Sequence, residues 1–193
     1  SIKILVVALV LTFAQCGYDQ NLAQTFSRLS YASHCAKLNV ENWNCTICKT
    51  YPYIQHPTYF TTDPTTTDFA GFIGIDSRLD AIVLVFRGTR NRDQWGKDFK
   101  TLKVKYSLCD NCYVHQGFYE AYLEVRPTVL ELVKKYHEVY QKSSIQYLIN
   151  VNSVTGHSLG AALATHAVAD LTKEGYSIGE FYSLGSPRVG GAE

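Results

Sequence analysis

Gly156-His157-Ser158-Leu159-Gly160 fits the G-x-S-x-G pattern of a nucleophile elbow. The apolar run before it, Tyr147 to Val154, can be a strand. The small-residue run after it, Leu159 to Ala169, can be a helix. Such chemistry needs this context, because a serine on a tight strand-to-helix turn is held where a substrate can reach its Oγ. Glycines flank it because side chains there would collide with neighbouring backbone. Taken alone the pattern is weak, since a serine after Gly-His is also an ordinary turn residue.

A second stretch supports the first. Ala81-Ile82-Val83-Leu84-Val85-Phe86 is continuously apolar, as in a strand buried on both faces, and it ends in Arg87-Gly88-Thr89-Arg90. A serine that accepts acyl groups needs two donors aimed at the developing oxyanion. One is the N–H of the residue after the nucleophile, here Leu159; the other comes from a loop after an earlier strand. Thr89 sits at such a strand end and adds a hydroxyl to its N–H. Its plain alternative is a strand-terminating turn.

Five motifs then follow one another: Phe86-Arg87-Gly88-Thr89; Trp95 and Asp98; Val114-His115-Gln116-Gly117-Phe118; Val154 to Gly160; and Ser186-Pro187-Arg188-Val189-Gly190. As a set they make the chain, from about Gln20 to its last residue, resemble the class 3 (fungal-type) lipases and related feruloyl esterases. The resemblance implies an α/β-hydrolase fold, with a mostly parallel central sheet flanked by helices, and a Ser-Asp-His triad. It implies Ser158 as nucleophile and Thr89 with Leu159 as oxyanion hole. It also implies a short lid helix over roughly Asn91 to Lys100, where Trp95 and Phe99, four apart, share a face suited to covering an apolar cleft. The expected reaction is two-step hydrolysis of carboxylic esters, with triacylglycerol as substrate at a lipid–water interface. An esterase on soluble or cell-wall esters, such as a feruloyl esterase, and a non-catalytic binding protein on the same scaffold are the alternatives.

The chain departs from the family in places. Ala161 stands where a second glycine is usual, and Asn150 and Asn152 interrupt the strand before the elbow. After Ser158 the acidic residues are Asp170, Glu174, Glu180 and Glu193, and His166 is the sole histidine. His166 lies eight residues beyond Ser158 on the same expected helix, about 12 Å of rise away, too far for a hydrogen bond to Oγ. In the family the acid and the histidine come from loops beyond the Pro-Arg-Val-Gly segment. The sequence therefore reads as the N-terminal part of a lipase, and no residue in it is assigned as the base. His115 is expected to be a hydrogen-bonded structural residue, and His157 a structural neighbour of the nucleophile.

The 193 residues, 46% of them hydrophobic, suit one domain with an ample core. The formal net charge of +1 gives no argument for nucleic acid or an anionic membrane. No cofactor or metal is expected, and no transmembrane segment. Lys3, the apolar stretch Ile4 to Ala14 and the small residues after it read as a signal peptide over residues 1–16. The cut is placed before Gly17, with a cut after Ala14 as the other option. Secretion follows, to the outside or to a lysosome-like compartment.

Secretion makes disulfides the default for Cys35, Cys45, Cys48, Cys109 and Cys112. Two C-x-x-C pairs could suggest zinc, but about 60 residues separate them, against the roughly 15–20 of compact zinc ribbons. A Cys109–Cys112 bridge is implied by the family. Cys35 is expected to pair with Cys45 or Cys48, and the odd cysteine points to a partner elsewhere. Asn44-Cys45-Thr46 is an N-glycosylation sequon, which a bridge at Cys45 would hinder.

The rest divides simply. Gln20 to Ala36 reads as a helix packed across the sheet, and Leu38 to Asp68 as a surface loop region. Phe69 to Asp76 pairs with Ala81 to Phe86 through a turn at Ser77 to Asp80. Phe118 to Tyr140 is a long amphipathic helix, with Pro127 expected to kink it. Phe181 to Leu184 reads as a further buried strand.

Overall fold

The computed structural model describes residues 18–62, 68–89, 102–142 and 152–191. The signal-peptide residues, the lid residues Asn91, Trp95 and Phe99, and most of the Tyr147 to Val154 stretch lie outside them.

Five strands form the main sheet in the order β1 (Ile54–Thr61), β2 (Ala70–Asp76), β3 (Ala81–Phe86), β6 (Asn152–His157), β7 (Ile178–Leu184). The β1–β2 and β2–β3 pairs are antiparallel, and β3–β6 and β6–β7 are parallel. Four strands therefore run one way and β2 alone is reversed. A smaller antiparallel sheet joins β4 (Lys103–Lys105), β5 (Tyr113–His115) and β8 (Gly190–Gly191).

Helices cover both faces of the main sheet. On one side lie α1 (Gln20–Ala32) and the short α2 (Lys37–Glu41) and α3 (Thr46–Lys49). On the other lie α4 (Gln116–Lys142) and α5 (Leu159–Lys173). The apolar run of β3 is buried throughout because it feeds both layers. Ile82, Leu84 and Phe86 pack with Val125, Val129 and Leu163 of α4 and α5. Val83 and Val85 pack with Phe26 and Leu29 of α1. That is why the strand lacks the alternation of a half-solvated one.

Local chemistry fixes the ends. Asp19 Oδ1 caps α1, accepting from the N–H groups of Asn21 and Leu22 at 2.7 and 3.0 Å. Asp76 shapes the β2–β3 turn: its Oδ1 accepts from the N–H groups of Arg78 and Leu79, and its Oδ2 from the Tyr51 hydroxyl at 2.7 Å. Burial beside that carboxylate pushes the Tyr51 phenol above its ordinary range. The inward face of α4 buries Tyr122, Val125, Val129, Val133 and Tyr136, and the helix runs on through Pro127 as a single element.

Three expectations need correction. The region read as a loop contains two short helices and the edge strand β1. Its register slips between Gln55 and Thr58, where His56 has φ 50, and Pro57 is tolerated on an edge. The strand before the elbow runs from Asn152 into His157 rather than ending at Val154. Asn152 fits there because its side-chain amide donates to Ser177 O at 2.9 Å and its Oδ1 lies 3.1 Å from His137 Nε2. Finally, β7 is not buried. It is the outermost described strand, exposure alternates along it, and Phe181 is 38% exposed.

Candidate active site

Ser158 is the whole connection between β6 and α5. Its φ of 54 and ψ of −121 are unfavourable for a residue with a Cβ, at a cost of about 1–3 kcal/mol. Neighbouring backbone holds it there. The Ser158 N–H donates to Leu184 O at 2.9 Å, and Ser158 O accepts from the N–H groups of Ala161 and Ala162 at 2.9 and 3.3 Å. A Cβ on Gly156 would overlap the Gly160 carbonyl, and one on Gly160 would overlap the Phe86 carbonyl. The two glycines thus let β6, α5 and β3 meet at backbone distance.

A serine in the N-cap position commonly spends its hydroxyl on the first turn of the helix. Ser158 makes no such side-chain bond. Its backbone is turned away from the extended geometry that commonly allows one. Leu159 opens α5 with its side chain in the core. The first N–H groups of a helix have no acceptor within it, and they carry the positive end of the helix dipole. Leu159 is therefore placed to give a backbone donor beside Ser158.

Thr89 lies at the same end of the sheet. Phe86 pairs with Gly156 across the parallel β3–β6 ladder, so the residues that follow each strand leave side by side. A Cβ on Gly88 would sit 2.8 Å from His157 O. The chain leading to Thr89 thus presses on the residue before Ser158. Thr89 is half-buried and is the last described residue before Leu102. Exposed His157 has its ring near both Gly88 and Gly185, across the tips of β3 and β7.

The other candidates lie away from Ser158 in packed surroundings. His166 is 1% exposed, with Nδ1 3.3 Å from the Tyr106 hydroxyl and its ring among those of Tyr106, Tyr119 and Tyr122. Burial lowers its pKa to about 4, and burial pushes Tyr106 up to about 12. Asp170, also 1% exposed, accepts from Tyr122 at 2.7 Å and from Arg126 Nε at 2.6 Å. His115 Nδ1 accepts from Phe118 N–H at 3.4 Å, its ring packs on Phe118, and burial lowers its pKa.

The cysteines close locally. Cys45 bridges Cys48, and Cys109 bridges Cys112 between β4 and β5. The first pairing differs from the expected Cys35 partner. Cys45 caps α3 and Cys48 lies one turn into it, which brings the pair together; the three sulfurs of Cys35, Cys45 and Cys48 still lie within 4.8 Å of one another. The Asn44 side chain is exposed beside this bridge.

One residue at the site was not singled out in the sequence. Arg87, read only as part of a turn, is 2% exposed and joined to Tyr59 and Asp68. An arginine wedged between six apolar residues and a glycine was the available signal.

Comparison with known proteins places the chain in one family. The model of the family described as lipase (class 3) matches residues 83–193. Secreted mono- and diacylglycerol lipase A of Penicillium cyclopium is 38% identical over 134 residues, 69% of this chain and 42% of that protein. Secreted mono- and diacylglycerol lipase 1 of Fusarium solani is 34% identical over 126 residues, 65% of this chain and 35% of that protein. The chain thus spans less than half the length of these curated relatives. Among solved structures, the triacylglyceride lipase of Rhizomucor miehei superposes with a TM-score of 0.74 at 26% identity, covering 88% of this chain and 63% of that one.

Proposed function

This chain belongs to the class 3 lipase family, with its α/β-hydrolase fold, and from that premise we propose that it is the nucleophile-bearing part of a secreted lipase that hydrolyses acylglycerol esters through an acyl-enzyme on Ser158. Ser158 Oγ attacks the ester carbonyl carbon. The carbonyl oxygen takes up the electron pair and is met by the Leu159 N–H and by the N–H and hydroxyl of Thr89. The tetrahedral species collapses, the alcohol leaves with the proton, and water then releases the fatty acid. The base that carries these protons is assigned to no described residue, since His166 and His115 are engaged in packing.

The observation that carries the reading is the Ser158 backbone, held at φ 54 by glycines that could bear no side chain, with the hydroxyl withheld from the helix cap. The acylglycerol class is supported by its relatives, two mono- and diacylglycerol lipases and a triacylglyceride lipase, and secretion by the first two, which are secreted lipases. Among the described residues no helix is long and apolar enough to cross a membrane. Residues 1–16 as a removed leader, the lid over Asn91, Trp95 and Phe99, action at a lipid–water interface, and an N-glycan on Asn44 belong to the same proposal.

The test uses the whole natural protein on an emulsified diacylglycerol and on a soluble short-chain ester. Hydrolysis of the emulsion that rises above the solubility limit of the lipid is expected. Turnover of the soluble ester alone would make it an esterase instead, and turnover of neither would leave only the binding-protein reading.

A further inference from the structure

Arg87 is a costly residue to place where it is. Its guanidinium is almost wholly out of water, and an arginine there is retained at the expense of desolvation that an apolar residue would avoid. It is answered on one side only. Nη1 donates to the Tyr59 hydroxyl of β1 at 2.9 Å, while Nη2 donates to the Asp68 carbonyl and pairs with Asp68 Oδ1 at 2.6 Å. Nε finds no hydrogen-bond partner among the described residues. The Arg87 N–H adds a bond of 2.8 Å to Ala70 O.

The opposite side of this same backbone is the wall of the elbow. Gly160 of α5 rests against the carbonyls of Phe86 and Arg87, and Gly88 rests against His157 O. The segment from Phe86 to Gly88 is therefore gripped between an ion pair and the turn that bears the nucleophile. Thr89 follows immediately.

We propose that Arg87 is a positioning residue for the oxyanion donors: its guanidinium, fixed by Asp68 and Tyr59, sets the Gly88–Thr89 backbone at the distance from Leu159 at which both donors reach one oxygen. The proposal rests on the assignment of Ser158 and Thr89 above. Lysine cannot replace the fork, because it offers a point charge rather than two directed N–H pairs. A small displacement of a reacting group can cost on the order of 10²-fold in rate.

The experiment measures kcat per active site in the whole natural protein, with sites counted by burst titration with a fluorophosphonate. Arg87→Lys should lower per-site kcat by about ten- to a hundredfold with KM within about twofold. Asp68→Ala and Tyr59→Phe should follow with smaller losses, and they carry the test if Arg87→Lys does not fold. In addition, Thr89→Val should cost less in the Arg87→Lys background than in the natural protein, because the donor is already displaced. Unchanged per-site kcat in all three variants, with only fewer titratable sites or a lower Tm, would overturn the proposal and leave Arg87 a purely structural residue. A natural protein that fluorophosphonate does not label at Ser158 would overturn the parent reading, and this one with it.

Discussion

Helix α5 starts immediately after a serine, has a histidine eight residues beyond that serine, and an aspartate four residues further on. These are the three residue types of a hydrolytic triad, in two opposite surroundings. Ser158 sits half-exposed on strained backbone, its hydroxyl making no cap bond. His166 and Asp170 are buried, the one among tyrosine rings and the other paired with Arg126 and Tyr122. Residue type therefore says little here. What separates chemistry from packing is whether the surroundings leave a polar group open to solvent or enclose it: His166 is shut among the tyrosine rings even though its Nε2 finds no hydrogen-bond partner among the described residues.

The widest gap in that contrast is opened by Ser158→Ala. It should fold normally, yet lower kcat for ester hydrolysis on the order of 10⁴-fold or more, since a triad acts as a unit. Purified variant with full turnover would erase the distinction between the two ends of the helix.

The next effect belongs to the buried end. The folded pKa of His166 is depressed from 6.5 to about 4. Between those values the unfolded chain binds a proton that the folded one refuses, so stability is full above pH 6.5 and falls as pH drops towards 4. The total loss is about 3 kcal/mol. His166→Phe should flatten this part of a Tm-against-pH curve and leave per-site kcat at neutral pH unchanged. A large fall in kcat for His166→Phe would return the histidine to the chemistry.

Thr89→Val sharpens the exposed end. It keeps the backbone donor and removes the hydroxyl, so kcat should fall by about 10²-fold with much less change in KM. An unchanged kcat would make Thr89 a turn residue. The smallest effect is Arg126→Met, which takes away the charged partner of buried Asp170. It should cost about 2 kcal/mol in denaturant unfolding without changing turnover per active site. A loss of turnover instead would place Asp170 in the mechanism.

The sequence was most readable where one segment is surrounded on all sides. Ala81 to Phe86 had the observed bounds of β3, because burial by both helix layers writes six apolar residues in a row. The elbow was readable for a related reason, since backbone contact on two sides dictates glycine at Gly156 and Gly160. Edges were less readable. β1 has water on part of its surface, a bulge and Pro57, so its residues carry no period. β7 reads from its sequence as a buried strand, because its apolar residues do not reveal that one side lacks a described neighbour. Pairings over distance were hidden altogether. Asp68 lies 19 residues before Arg87, and only the fold brings them together.

The most direct measurement is peptide mapping of the natural protein after reaction with a fluorophosphonate. A single adduct on Ser158, absent in Ser158→Ala and undiminished in His166→Phe, is the predicted result. An adduct on any other residue, or labelling of Ser158→Ala at the natural rate, would contradict the account.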